Sequence, residues 1–155
     1  AAAPPPPAHR NPPLPAKAHS KELLADHLGP GPPPETYGRA AVNILLALAT
    51  KAPEVMLESF FWPGVSEPEL VALDRPLVQV HCRCDPAEAR ARFERRLNAG
   101  QRHPVHHAMD DWERFSEGGG LLDLPGPLII VDTSAWPSVT EVAGQVTQAL
   151  ATTCG

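Results

Sequence analysis

Apolar residues recur along this chain with two different periods, and the places where the period changes mark out its elements. Tyr37, Ala41, Ile44, Leu45 and Leu48 follow one face of a helix, and Val42, Leu46 and Ala49 widen that stripe. Thr36 is its expected cap and Pro53 its stop. So wide an apolar surface belongs between layers. Three short continuous apolar runs read instead as buried strands: 54 to 61, 77 to 83 and 127 to 132. Ser66 to Asp74 reads as a short helix, with Pro68 and the acids Glu67 and Glu69 in its first turn. Asp85, Pro86 and Glu88 supply a cap, a proline at the first helical position and a capping-box acid, so a helix should run to about Asn98 and end at Gly100. A polar helix is expected from His107 to about Ser116. Ser138 with Glu141 opens a last helix whose apolar face is Val139, Val142, Ala143, Val146 and Leu150. Ahead of all these, Ser20 could cap a short helix to Leu28, stopped by the Gly29 to Pro34 run.

Alternation of helices with continuously apolar strands predicts an α/β fold: a three-layer parallel sheet flanked by helices and covered on both faces. Composition divides the chain. Of its 20 prolines, 11 fall within residues 1 to 34 and nine in the other 121. Residues 1–34 therefore read as a Pro-rich, largely disordered head and residues 35–155 as one domain. Up to residue 18 the head should be extended and mobile. Pro4 to Pro7 and Pro12 to Pro15 could also serve as polyproline ligands for an aromatic groove.

No apolar run approaches a membrane span, and residues 1 to 18 lack the basic start and apolar middle of a signal peptide. Three cysteines without framework spacing point to reduced thiols, hence to a soluble cytoplasmic protein. The net charge of -5 argues against nucleic acid as a partner, although residues 81 to 102 carry six arginines against three acids.

Ligands of open parallel sheets bind beyond the carboxyl ends of the strands, which singles out Glu58, Ser59, Arg83, Asp85, Asp132 and Thr133. Glu58 would either order a metal-bound water or substrate hydroxyl, or cap a neighbouring element. On the helix from Pro86, Arg92, Arg95 and Arg96 share a sector beside the apolar Ala89, Phe93 and Leu97. Guanidinium groups bind phosphate oxygens through paired donors, so this edge could compensate a polyphosphate; alternatively it is a solvated face with Glu88 and Glu94 as partners. Cys82, Cys84 and the nearby histidines lack the spacing of zinc fingers, and no metal site is expected.

Four segments taken together carry a resemblance: Val55-Met-Leu-Glu-Ser-Phe60, Val78-Gln-Val-His-Cys82, Arg90-Ala-Arg-Phe-Glu-Arg95 and Gly100-Gln-Arg-His-Pro-Val-His106. In their order and spacing the chain resembles, from about Ser20 onward, the predicted small-molecule kinases of the P-loop superfamily related to chloramphenicol phosphotransferase and zeta-toxin-type kinases. The resemblance implies a nucleoside-monophosphate-kinase-like P-loop NTPase fold, ATP and Mg²⁺ as cofactors, and a small hydroxyl-bearing substrate. It makes Glu58 the acid after a central strand, Arg92, Arg95 and Arg96 lid arginines, and Arg102 with His103 the tail of the lid. Glu22, in Ser20-Lys21-Glu22, stands where the family has Ser-Lys-Asp. The family's first strand and its Gly-x-x-x-x-Gly-Lys-Ser/Thr loop are absent from these 155 residues. Residues 35–155 thus match an incomplete P-loop-kinase-like domain, expected not to bind ATP tightly or transfer phosphate alone, and to self-associate through an exposed sheet edge. A truncated product, a partner that supplies the loop, and a non-catalytic scaffold whose Pro-rich head recruits a partner are all compatible with it.

Overall fold

The computed structural model describes residues 12–29, 31–106, 112, 116 and 119–153. The polyproline run Pro4 to Pro7 and most of the helix expected from His107 to Ser116 lie outside the described residues. The chain divides into two compact units, Ala1–Ser59 and Phe60–Gly155.

In the first unit, helix α1 (Lys17–Leu28) packs against helix α2 (Pro34–Ala49). α1 begins three residues ahead of its expected cap: Ser20 lies inside the helix and donates its backbone N–H to Ala16 O at 3.1 Å. The Gly29 stop holds, since Gly29 takes φ 76° and donates to Ala25 O at 3.0 Å. The Tyr37 hydroxyl of α2 donates to the Gly29 carbonyl and ties the two helices at that end. Along α2 the residues Tyr37, Ala41, Leu45 and Ala49 are buried, whereas Ile44 and Leu48 stay exposed, so only one half of the predicted stripe is covered. Lys21 is the buried residue of α1.

Residues ahead of α1 are not a free tail from Pro12 on. Met56 N–H donates to Pro13 O (3.0 Å), Glu58 N–H to Pro15 O (3.2 Å) and Lys17 N–H to Glu58 O (2.9 Å). This is a parallel pairing in which Ala16 and Glu58 form an isolated bridge. Parallel register would next set Leu14 beside Met56, with the residue-15 amide donating to Met56 O, but proline has no N–H. The strand expected over 54 to 61 is thereby reduced to one bridged position.

In the second unit, strands β1 (Gln79–Arg83) and β2 (Leu128–Asp132) form a two-stranded parallel sheet in the register Gln79 with Leu128 through Arg83 with Asp132. Val131 is buried on one side, while Val80, Leu128 and Ile130 are exposed. The expectation of a sheet covered on both faces is therefore not met among the described residues. Helix α3 is shorter than predicted, Glu67–Val71, and Ser66 does not cap it. Its hydroxyl instead accepts from Trp62 N at 2.9 Å. Helix α4 (Pro86–Asn98) and helix α5 (Val139–Thr153) match their expected spans, and α5 packs on β2.

A sharp turn leads into β2. Gly126 has φ 107°, and a Cβ there would collide with the carbonyl oxygen of Leu77. Only glycine meets both demands. Upstream, the Glu67 carboxylate accepts from Gly64 N (3.0 Å) and Asp123 N (3.4 Å), which joins two loops. Those backbone donors, Gly64 foremost, hold its carboxyl below the ordinary range.

Candidate functional site at the strand ends

The carboxyl ends of β1 and β2 carry the densest polar network of the second unit. Asp85 caps α4 as predicted: its Oδ1 accepts from Ala87 N (3.0 Å) and Glu88 N (3.1 Å). The reciprocal half of the capping box does not form. The Asp85 amide donates instead to Ser134 Oγ at 2.9 Å, a residue 49 positions on. Glu88 turns along the helix and accepts from Arg92 Nε (2.7 Å) and Arg95 Nη2 (3.3 Å), and the Arg92 bond is the first cause of its lowered carboxyl pKa.

Arg92 is the knot of this network. Besides Glu88, it donates through Nη1 to Thr133 O (2.7 Å) and through Nη2 to Ser134 O (3.0 Å). One planar guanidinium thus clamps the loop after β2 onto α4. Thr133 closes the other side: its N–H and its hydroxyl both donate to Arg83 O, at 2.7 and 2.9 Å. Asp132 Oδ1 accepts from Ser134 N at 2.9 Å and Oδ2 lies 3.5 Å from Arg83 Nη2. The Ser134 amide, ahead of Arg83, holds the Asp132 carboxyl below its ordinary value.

The predicted phosphate-binding arginines therefore fall into different environments. Arg92 is spent on backbone carbonyls and Glu88, and Arg95 shares that carboxylate. Arg96 is exposed on the last turns of α4 and makes no hydrogen bond or ion pair through its side chain among the described residues. Arg102 lies over the Phe93 ring at 4.3 Å from its centroid, a cation–π contact. Next to it, His103 Nδ1 accepts from Val105 N at 3.1 Å, and the rings of His103 and His106 sit edge to face at 6.4 Å. No three potential metal ligands come together among the described residues.

Glu58 and Glu22 both belong to the first unit. Glu58 is exposed at the bridge, with Lys17 as its charged neighbour. Burial lowers the Lys17 pKa, and the Glu58 carboxylate partly opposes that shift. The lysine stem passes Gly38 of α2, with Cε 3.9 Å from where a Cβ would stand. Glu22 lies five residues into α1, within the helix. Lys17 and Ser134 were missed by sequence reasoning. Ser134 had a weak signal, a third polar residue in a row after an apolar strand, but its partner lies an element away.

The chain is mixed α/β, with a small parallel sheet and helices, and its fold is similar to that of a kinase structure. A crystal structure described as that of a "putative kinase", from Chloroflexus aurantiacus J-10-fl, matches it with a TM-score of 0.80 and 25% sequence identity, covering 89% of this chain and 84% of the other. No family model and no curated protein matches the chain. No helix among the described residues is long and apolar enough to cross a membrane.

Proposed function

We propose that this chain forms the body of an ATP-dependent small-molecule kinase of the P-loop type, which in complete form passes the γ-phosphate of ATP to a hydroxyl of a small cytoplasmic substrate. The likeness to the Chloroflexus protein over most of both chains carries this reading. In it, Glu58 and Glu22 are the acids facing the acceptor, and Arg95, Arg96, Arg102 and His103 compensate phosphate charge. Arg92 serves the same end indirectly, as the residue that positions the loop after β2.

The residues present do not make a full cradle for Mg-ATP. The 155 residues contain no Gly-x-x-x-x-Gly-Lys-Ser/Thr, and two helix N-termini that could receive phosphate are already capped: α4 by Asp85, and α5 by Ser138 Oγ, which accepts from Glu141 N at 3.3 Å. The polypeptide of residues 1–155 therefore binds Mg-ATP weakly and does not transfer phosphate alone. Isothermal titration with Mg-ATP tests this: heats without saturation through the micromolar range are expected, and micromolar affinity would overturn it.

A second reading is a non-catalytic scaffold whose Pro-rich head recruits a partner. The engagement of Arg92 by backbone carbonyls favours it, since that guanidinium holds the fold together without any ligand. Supplying a loop-bearing partner segment separates the two: restored ATP hydrolysis or transfer supports the kinase body, and its absence supports the scaffold.

A further inference from the structure

The sheet of the second unit has a backbone edge with no partner among the described residues. In the parallel register, Gln79 N–H donates to Pro127 O at 2.9 Å and Thr133 N–H to Arg83 O at 2.7 Å. These two bonds set the parity of the ladder: the N–H and C=O groups of Gln79, His81 and Arg83 face β2, so those of Val80 and Cys82 point the opposite way. Among the described residues no hydrogen bond engages either residue's outward groups. Both side chains are also exposed, Val80 at 40%.

This edge has none of the usual guards. From Leu77 to Cys82 there is no charged side chain and no proline, and no bulge interrupts the pairing with β2. The nearest charge, Arg83, is engaged with Asp132 of its own chain. The contrast with the first unit is direct, because there the strand ahead of α1 carries Pro12, Pro13 and Pro15.

We infer that β1 is a self-association edge, and that its occupant is β1 of a second copy, paired antiparallel about a two-fold axis at His81. Self-complementarity selects this occupant. The rotation sets Val80 of one copy opposite Cys82 of the other and the reverse, so every outward N–H meets an outward C=O and four hydrogen bonds form. Opposed residues of an antiparallel pair share a face, so both copies' Val80 and Cys82 side chains gather into one apolar cluster. No like charges are brought together. The result is a four-stranded sheet in which β1 of each copy is interior. The inference does not rest on the kinase reading, because it uses only the parity of the ladder and the chemistry of its edge.

Sedimentation velocity on the full chain, with hydrogen exchange at low and high concentration, tests it. A dimer is expected within about 100 µM. In the dimer the amides of Val80 and Cys82 should slow at least about tenfold, while those of Gln79 and His81, already in the ladder, should not change with concentration. Val80→Lys with Cys82→Lys would crowd four cations onto one face and should abolish the dimer. Ile130→Lys, also exposed but on β2, should leave it intact. Val80→Cys should give an interchain disulfide to Cys82 on mild oxidation, which fixes the register. A chain that stays monomeric at that concentration with fast Val80 and Cys82 amides overturns the inference. So does association that survives the double lysine variant. If that variant does not fold, the wild-type exchange pattern decides by itself.

Discussion

Each unit of this protein holds a pair of parallel strand segments, and the two pairs differ in a single chemical respect. In the second unit β1 and β2 are free of proline and pair over five residues. In the first, Pro13 and Pro15 occupy positions whose amides would have completed the ladder, and one bridge survives. Proline accepts through its carbonyl but cannot donate, so the Pro-rich strand makes a one-sided ladder. The first unit relies for its cohesion on the α1–α2 contact, with Tyr37, Ala41, Leu45 and Ala49 buried. The second relies on its ladder and on the side chains that brace the strand ends. A complete ladder without edge guards is also the more exposed to pairing with another chain.

This comparison can be broken most severely at Gly126. Gly126→Ala puts a Cβ against the Leu77 carbonyl at a positive φ, and should destabilise the second unit by roughly 3 kcal/mol. All three tryptophans lie in that unit and the single tyrosine, Tyr37, in the other. Denaturation followed by tryptophan fluorescence should therefore shift, while a ¹⁹F label on Tyr37 should report little change. Next in size, Arg92→Ala strips the donors from Thr133 O and Ser134 O and should cost about 1–2 kcal/mol in the same unit. Arg92→Lys should recover only part of that, because one ammonium cannot span both carbonyls and Glu88. Equal stability of the alanine variant and the wild type in urea would remove Arg92 from the account.

Acid should also distinguish the units. Glu67, Glu88 and Asp132 all lie in the second, and each has a folded pKa below its unfolded value. Their contribution is complete above the ordinary carboxyl values of 4.5 and 3.8 and is lost as pH falls through the lowered folded values. Lys17, in the first unit, acts in a different window. Its folded pKa is depressed below 10.5 by burial, so the charged lysine is a penalty to the fold at neutral pH. Between the folded value and 10.5 the unfolded chain holds more protons, and that penalty is relieved as pH rises. Tryptophan-detected urea midpoints should fall below about pH 4.5 before the Tyr37 signal follows. Simultaneous loss of both signals would contradict the separation. The smallest effect is expected from Pro15→Ala. A new amide can donate to Met56 O, but the freed chain gains unfolded-state entropy, so the net change should stay within about 0.5 kcal/mol. Slow exchange of the new amide at position 15 is the decisive observation; rapid exchange would mean that something other than proline limits that ladder.

How far the fold and site were legible follows from how local each determinant is. Asp85 and Pro86 announced the start of α4 correctly, because a cap acts within three residues. The capping-box bond expected of Glu88 does not form, while the alternative, Glu88 and Glu94 as partners of the helix arginines, does. Ser134, far along the chain, took the Asp85 amide and left Glu88 to Arg92 and Arg95. The strand expected over 54 to 61 failed for a similar reason: its apolar run was real, but its partner turned out to be proline-rich. Arg92 was legible as a basic residue on a helix edge, and its service to Thr133 and Ser134 was not, since those carbonyls lie 41 and 42 positions away.

By itself, then, the sequence determined where four helices lie, which runs could be strands, and that no glycine-lysine phosphate loop occurs within these residues. Each of these depends on side chains within one or two turns of backbone. Tertiary structure decided which strand received a full ladder, which arginine became a brace, and which edge was left bare. Each N–H is exclusive, and one committed to a given acceptor is lost to the others. Only the assembled chain settles that competition.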